Sequence, residues 1–262
     1  RPADFTLMGR ARNGRKLITK EVIAAASFNT KSKLIVFDDE GRSYHIASMN
    51  LELGANLYLN DVDERIKGNI TSMMVLTPED AAKDYLVIIT KKGIIKKSKL
   101  EEYNDFKSYT YAIRLKDEDE VMFANAANDD EYVFIHSDVK LNKFAVNRIT
   151  TSGRHTIGSK GMEADTFIGA VIMKEEEQLI MFGKNGKGKF TNGKDFTTSV
   201  KGGRGQLTYE GVLGIVKASG EIINIIGADG NTMSVKAEEV PTRQPRSLGI
   251  KIFGSEITQI VM

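Results

Sequence analysis

The residues of this chain best suited to chemistry are its cations, and they come in acid-free blocks. Arg10, Arg12, Arg15, Lys16 and Lys20 stand between Phe5 and Lys20. Five lysines, including Lys96, Lys97 and Lys99, stand between Lys91 and Leu100. Lys140, Lys143, Arg148, Arg154 and Lys160 follow between Val139 and Met162, and Lys184, Lys187, Lys189 and Lys194 between Gly183 and Lys194. Two later loops add Lys201 and Arg204 (KGGRG) and Arg243 and Arg246 (RQPRSLGIKIF). The carboxylates cluster elsewhere, at 61–64, 117–120, 129–131 and 175–177. Net charge is only +2, yet the two signs occupy different stretches. A single basic strand would be read as solvated edge charge that blocks aggregation. Repeated acid-free blocks can instead neutralise a run of phosphates, which points to a polyanion.

Catalytic constellations are absent from the pattern. Paired catalytic acids need a pocket and unlike environments, and the run 117–120 reads as a solvated turn. There is no cysteine for a disulfide or thiolate site. His45, His136 and His155 are too scattered for a His-rich metal site. The glycine-rich stretches GKNGKG (183–188) and KGGRG (201–205) lack the G-x-x-x-x-G-K-[ST] spacing of a phosphate loop between strand and helix. They read as a hairpin turn and a connector whose backbone N–H groups can still meet phosphates.

The cations are carried by a recurring unit. Tyr85–Tyr103 reads YLVIITKKGIIKKSKLEEY: an apolar β-branched run, a turn with Gly93, a basic return strand and an acidic, aromatic tag. The pattern returns at Lys33–Leu51 (turn Gly41), Tyr132–Ile149 (Lys140 in place of glycine), Gln178–Phe196 (Gly186) and Ile222–Val240 (Gly230). The turn positions 41, 93, 140, 186 and 230 give a period of 44–52 residues, the range of propellers and arrays. Inner strands are expected at Glu21–Phe28, Ile70–Leu76, Glu120–Ala127, Phe167–Met173, Val212–Ala218 and Ile257–Met262. Linking strands are expected at Tyr111–Lys116, Gln206–Glu210 and Leu248–Phe253, each leaving for the next blade. The spacing thus predicts an all-β, propeller-like fold of about five four-stranded blades, six being possible, over a single domain spanning 1–262. The first residue, Arg1, suggests a piece of a larger subunit. No run of about 18 apolar residues or signal peptide is present, so the expected location is cytoplasmic, with no membrane partner.

The repeated "apolar run, turn Gly, Lys/Arg strand, acidic tag" resembles the C-terminal domain of the DNA-cleaving subunit of bacterial type IIA topoisomerases, meaning gyrase A and its topoisomerase IV counterpart. The connectors RQPRSLGIKIF (Arg243–Phe253) and TSGRHTIGSKGM (Thr151–Met162) resemble that family too, and the likeness runs over about Lys16–Met262. The resemblance implies a β-pinwheel, a propeller-like disc that exchanges strands between blades, binding and bending duplex DNA at a basic rim. It implies a non-catalytic domain with no cofactor of its own, in an A2B2 holoenzyme whose separate ATPase subunits use ATP and Mg. The DNA-contacting residues expected are Arg10, Arg12, Arg15, Lys16, Lys96, Lys97, Lys99, Lys143, Arg148, Arg154, Lys187, Lys189, Lys201, Arg204, Arg243 and Arg246. The gyrase box Q-[KR]-R-G-G-[KR]-G is not matched: residues 10–16, RARNGRK, lack its Gln and paired Gly. With five hairpins counted, the topoisomerase IV type is slightly favoured.

The main alternative is a protein-interaction β-propeller scaffold. No WD or GH dipeptide recurs to support it. A propeller enzyme would need acids, histidines or metal ligands converging at the inner strand ends. Those strands read EVIAAASF, EVMFANAA and FIGAVIM, which is packing material.

Overall fold

The computed structural model describes residues 26, 31–47, 63–103, 110–116, 118–137 and 139–262, with the backbone of 4–6 and 56–58. The expected inner strand at Glu21–Phe28 and the expected contact residues Arg10, Arg12, Arg15 and Lys16 lie outside the described residues. In chain order the strands are β1 (Asp4–Thr6), β2 (Lys33–Asp38), β3 (Arg42–Ala47), β4 (Asn56–Tyr58), β5 (Ile70–Leu76), β6 (Tyr85–Thr90) and β7 (Ile94–Lys99). Then come β8 (Thr110–Tyr111), β9 (Val121–Ala127), β10 (Tyr132–Ser137), β11 (Lys140–Ala145), β12 (Ser159–Lys160), β13 (Phe167–Met173) and β14 (Gln178–Gly183). The last are β15 (Lys187–Asn192), β16 (Gln206–Leu207), β17 (Val212–Lys217), β18 (Ile222–Gly227), β19 (Thr232–Lys236), β20 (Ile250–Lys251) and β21 (Ile257–Val261). Among the described residues the only helical pieces are 3₁₀ turns of three or four residues.

Among the described residues the strands form five antiparallel blades and a two-stranded sheet, β1–β4. Four blades have four strands: β5-β2-β3-β8, β9-β6-β7-β12, β13-β10-β11-β16 and β17-β14-β15-β20. The fifth has three, β21-β18-β19. All five expected hairpins are present. Their assembly differs from the sequence expectation in one respect. The inner strand pairs with the hairpin before it, not after it: Ile70–Leu76 runs against Lys33–Asp38. The linking strand does not leave for the next blade but returns to the previous one. Thr110–Tyr111, which follows the second hairpin, pairs with Arg42 and Ser43 of the first. So each outermost strand is contributed by the following repeat. The hydrophobic pattern of a strand says which face is buried, and not which of two flanking hairpins it joins.

The first and second blades fall in one compact unit, the third to fifth in another. Within each, the core lies between consecutive blades. Ile35 and Phe37 of the first blade meet Leu86 and Ile88 of the second. Phe134 and Val171 of the third meet Leu179 and Met181 of the fourth. Ile180 and Phe182 meet Ile223 and Ile225 of the fifth. β14 of the fourth blade packs against the third blade with Leu179 and Met181 and against the fifth with Ile180 and Phe182, so it is buried on both faces and shows five consecutive buried residues. That explains why its Leu179–Phe182 segment is a continuous apolar run rather than an alternation. Each such Ile or Phe contributes about 1.5–3 kcal/mol by burial.

The turn glycines do two things. Gly41 and Gly186 take φ +78 and +67, left-handed values that cost glycine nothing. They also let the next repeat come close. Gly41 O accepts from the N–H of Ala112 and Ile113, and Gly186 O from Ile252 and Phe253. A Cβ would stand 2.4 Å from Ile113 O at Gly41 and 2.0 Å from Phe253 O at Gly186. The third hairpin turns one residue sooner: His136 pairs with Leu141, where Ile89 pairs with Ile95. Lys140 is therefore the first residue of the return strand and not a turn residue. In every blade a register shift interrupts the ladder just before the turn, for example between Ile89 and Thr90 or Phe182 and Gly183.

Candidate nucleic-acid interface

The expected contact residues separate into two populations. The first lies in the return strands and is buried. Lys96, Lys143 and Lys189 are 1%, 1% and 0% exposed, and Lys97 is 3% exposed. This corrects the expectation that Lys96, Lys97, Lys143 and Lys189 contact DNA directly, because the next repeat's connector covers their strands. The backbone latch recurs three times: Lys97 O accepts from Ser152 N–H, Lys143 O from Ser199 N–H and Phe190 O from Arg243 N–H, at 2.7–2.9 Å.

The ammoniums of Lys96, Lys143 and Lys189 are tied to internal acceptors. Lys96 Nζ donates to Ser98 Oγ (2.5 Å), Ala112 O (2.8 Å) and Tyr103 OH (3.1 Å). Lys143 Nζ donates to Gly193 O and Phe196 O, both at 3.1 Å, and pairs with the Glu175 carboxylate. Lys189 Nζ donates to Gln244 O and to Pro245 O (2.9 Å) and lies 4.9 Å from the Tyr209 ring centroid. Burial pushes Lys189 down to about 8, with Arg243 lowering it further. Burial also pushes Lys96 down to about 8. Glu102 partly opposes this, and Arg154 adds to it.

The second population is reachable from solvent and sits mainly on the connectors, each of which lies on the outer edge of the preceding blade. Arg154 precedes β12 and Lys160 ends it, Lys201 and Arg204 precede β16, and Arg243 and Arg246 precede β20. Arg204, Arg243, Arg246 and Lys160 are exposed, and Arg154 and Lys201 are half-buried. Arg154 Nη1 donates to Thr110 Oγ1, which fixes it beside β8. Arg204 Nε lies 3.3 Å from Glu163 Oε2, with the Arg204 side chain 80% exposed. Arg148, in a 3₁₀ turn, and Lys99, at the end of β7, are also exposed. The Lys99 and Lys97 ammoniums stand 4.6 Å and 4.4 Å from the Tyr85 ring centroid, a pair of cations on one aromatic ring.

One arrangement was not foreseen. Half-buried Lys187 of β15 stands directly opposite Lys251 of β20 in the ladder. Like charges at opposed positions repel, so an anion there would be welcome. Lys251 escaped the sequence reading because only the strand exchange places it beside a hairpin lysine. On the inner-strand side two lysines are paired with acids: Lys174 Nζ meets Asp130 at 3.2 Å and Lys217 Nζ meets Glu177 at 2.8 Å.

The histidines divide the same way. His136 is buried, with Nε2 2.9 Å from Thr208 Oγ1 and Nδ1 donating to Ser137 O, and burial pushes it down to about 4. His155 is on a connector and its ring tilts against Tyr111, centroids 5.3 Å apart. No group of three or more His, Asp or Glu side chains suited to a metal ion occurs among the described residues. No helix among them is long and apolar enough to cross a membrane.

Residues 84–128 and 177–209 match the model of the DNA gyrase C-terminal domain, beta-propeller. The chain is 24% identical to the DNA gyrase A protein of Staphylococcus epidermidis over 235 residues, covering 85% of this chain and 26% of the relative. It is 24% identical to the DNA gyrase A protein of Deinococcus deserti over 273 residues, covering 94% of this chain and 33% of the relative. It therefore spans a quarter to a third of these relatives. A solved DNA gyrase A C-terminal domain superposes with TM-score 0.78 at 22% identity, over 98% of this chain and 89% of that one. A solved C-terminal domain of DNA topoisomerase IV gives TM-score 0.70 at 17% identity, over 91% and 81%. The resemblance read from the repeats, to the C-terminal domain of gyrase A and its topoisomerase IV counterpart, is borne out, as is the propeller-like fold.

Proposed function

We propose that this chain binds and bends duplex DNA as the non-catalytic C-terminal domain of the DNA-cleaving subunit of a type IIA topoisomerase, presenting DNA to a cleavage core elsewhere in that subunit. One observation carries the reading. The exposed and half-exposed cations recur at one structural position, the connector on the outer edge of successive blades: Arg154 and Lys160, Lys201 and Arg204, Arg243 and Arg246. Cations displayed along an edge meet phosphates and position a duplex, but they do not read base edges. The bending that belongs to this reading costs about 1–6 kcal/mol for 20–30 base pairs. The partners that go with this reading are double-stranded DNA, the rest of the DNA-cleaving subunit and the ATPase subunit, with ATP and Mg used elsewhere in the holoenzyme. RARNGRK without the paired glycines, and five hairpins, favour the topoisomerase IV type over gyrase-type chiral wrapping. A topology assay on closed circles separates the two.

Six connector cations neutralising six phosphates give a slope of log K against log[salt] near −5, from about −0.9 per phosphate. Affinity measured across salt for duplexes of about 15 and about 45 base pairs tests this. The expected result is the steep slope for the long duplex and clearly weaker binding of the short one. A slope shallower than about −2, or equal affinity at both lengths, would leave the scaffold reading in its place.

A further inference from the structure

Lys189 belongs to neither a contact surface nor an ordinary core. Its side chain is wholly buried, yet among the described residues no carboxylate pairs with it, whereas Lys143 has Glu175. Its two carbonyl acceptors, Gln244 O and Pro245 O, come from the two residues between Arg243 and Arg246. Pro245 is buried while Arg243, Gln244 and Arg246 are exposed. The loop is further closed by Arg243 N–H to Phe190 O (2.9 Å) and Ser247 N–H to Gln244 O (3.0 Å). Backbone carbonyls facing a phosphate would repel it. Here two of them are turned inward onto an ammonium, and the two arginines are left outward.

We propose that Lys189 is a positioning residue: it shapes Arg243–Arg246 into a phosphate-binding loop and lends that loop an uncompensated positive charge from below, without touching the ligand. The inference rests on the DNA-binding reading. It replaces the direct contact that the sequence assigned to Lys189. The orphaned charge suits the role, since a phosphate on Arg243 and Arg246 would supply the missing counter-charge across a thin, poorly screening layer of protein.

The test compares Lys189→Met, Lys189→Arg, the pair Arg243→Ala/Arg246→Ala, and Lys189→Met combined with that pair. Affinity for a 45-base-pair duplex is read against salt, and amide hydrogen exchange is read at residues 243–247. Lys189→Met is expected to weaken binding as much as the arginine pair does and to flatten the salt slope by about 1.8, two phosphates' worth. It is expected to add nothing once the arginines are gone, and to speed exchange at Arg243 and Ser247 about tenfold or more. Lys189→Arg, which keeps charge and donors, is expected to recover part of both. A slope change of about 0.9 that adds to the arginine pair would make Lys189 a direct contact and overturn the proposal. So would unchanged affinity and exchange in Lys189→Met. If that variant loses cooperative unfolding, acetylation of the unmodified protein decides. Lys189 is expected to stay unreactive with and without DNA, and reactivity that the duplex suppresses would overturn the proposal. Failure of the unmodified protein to bind the duplex at low salt would sink the DNA reading alone, and the exchange arm would still judge Lys189.

Discussion

Return strands and connectors carry the same residue types and meet opposite fates. Lys143 and Lys189 are sealed under a neighbouring repeat and spend their hydrogen bonds on its carbonyls or carboxylate, while buried Lys96 spends its own on Ser98, Tyr103 and Ala112 of its own repeat. Arg204, Arg243, Arg246 and Lys160, one layer further out, face solvent. The difference teaches that a cation's role here is set by layer and not by composition. The inner layer ties repeats together. The outer layer is what a polyanion can reach.

The sharpest way to break this comparison is to treat an inner cation as though it were an outer one. Lys143→Met leaves Gly193 O, Phe196 O and the Glu175 carboxylate without their donor, a loss of about 4 kcal/mol in unfolding free energy by urea titration. A loss below about 0.5 kcal/mol, the range of ordinary surface substitutions, would place Lys143 in the outer layer.

Next in size is the pH response of the buried histidine. His136 has its folded value depressed to about 4 from an ordinary 6.5, so between these values the unfolded chain binds the extra proton. Its contribution is fully present above pH 6.5 and is lost as pH falls toward 4. That amounts to about 3 kcal/mol at 1.36 kcal/mol per unit. Urea titrations at pH 7, 5.5 and 4 are expected to show that loss, and His136→Gln to remove that part of the slope. Exposed His155, exchanged likewise, should change the profile little.

Smallest is the outer-layer counterpart. Arg243→Glu with Arg246→Glu is expected to weaken duplex binding about thirtyfold, on the order of 2 kcal/mol. Folding stability should move by no more than about 0.5 kcal/mol. A comparable fall in stability would erase the distinction between the layers.

Much of the architecture was legible in the chain. Five hairpins gave five blades, and four of the turn positions, Gly41, Gly93, Gly186 and Gly230, do take left-handed φ values, while Lys140 falls in the return strand. Partnership was not legible. Ile70–Leu76 carries the same apolar pattern whether it serves the hairpin before it or after it, and only the fold shows that it serves the earlier one. The outer strands are two residues long, too short for a periodic signal. The buried lysines were misread for a related reason. Lysine is almost never fully buried unless paired, and the carbonyls that pair with Lys189 lie some 55 positions away in sequence. The connector arginines were read on their composition, and the structure leaves Arg204, Arg243 and Arg246 exposed.

Borrowing the outermost strand from the next repeat has a consequence on the ribosome. The fourth blade's return strand ends at Asn192, and the strand that covers it begins at Ile250, 58 residues later (250 − 192). At about 5–20 residues per second, that edge waits roughly 3–12 s for its cover. An uncovered strand edge is a template for pairing with another chain, and lysines on it are a common deterrent. Lys187 and Lys189, placed on that strand, are the residue type that suits an edge left open. Once Gln244 and Pro245 arrive, Lys189 donates to their carbonyls and grips the backbone that buries it. The same side chain thus guards the half-made blade and then fastens the finished one.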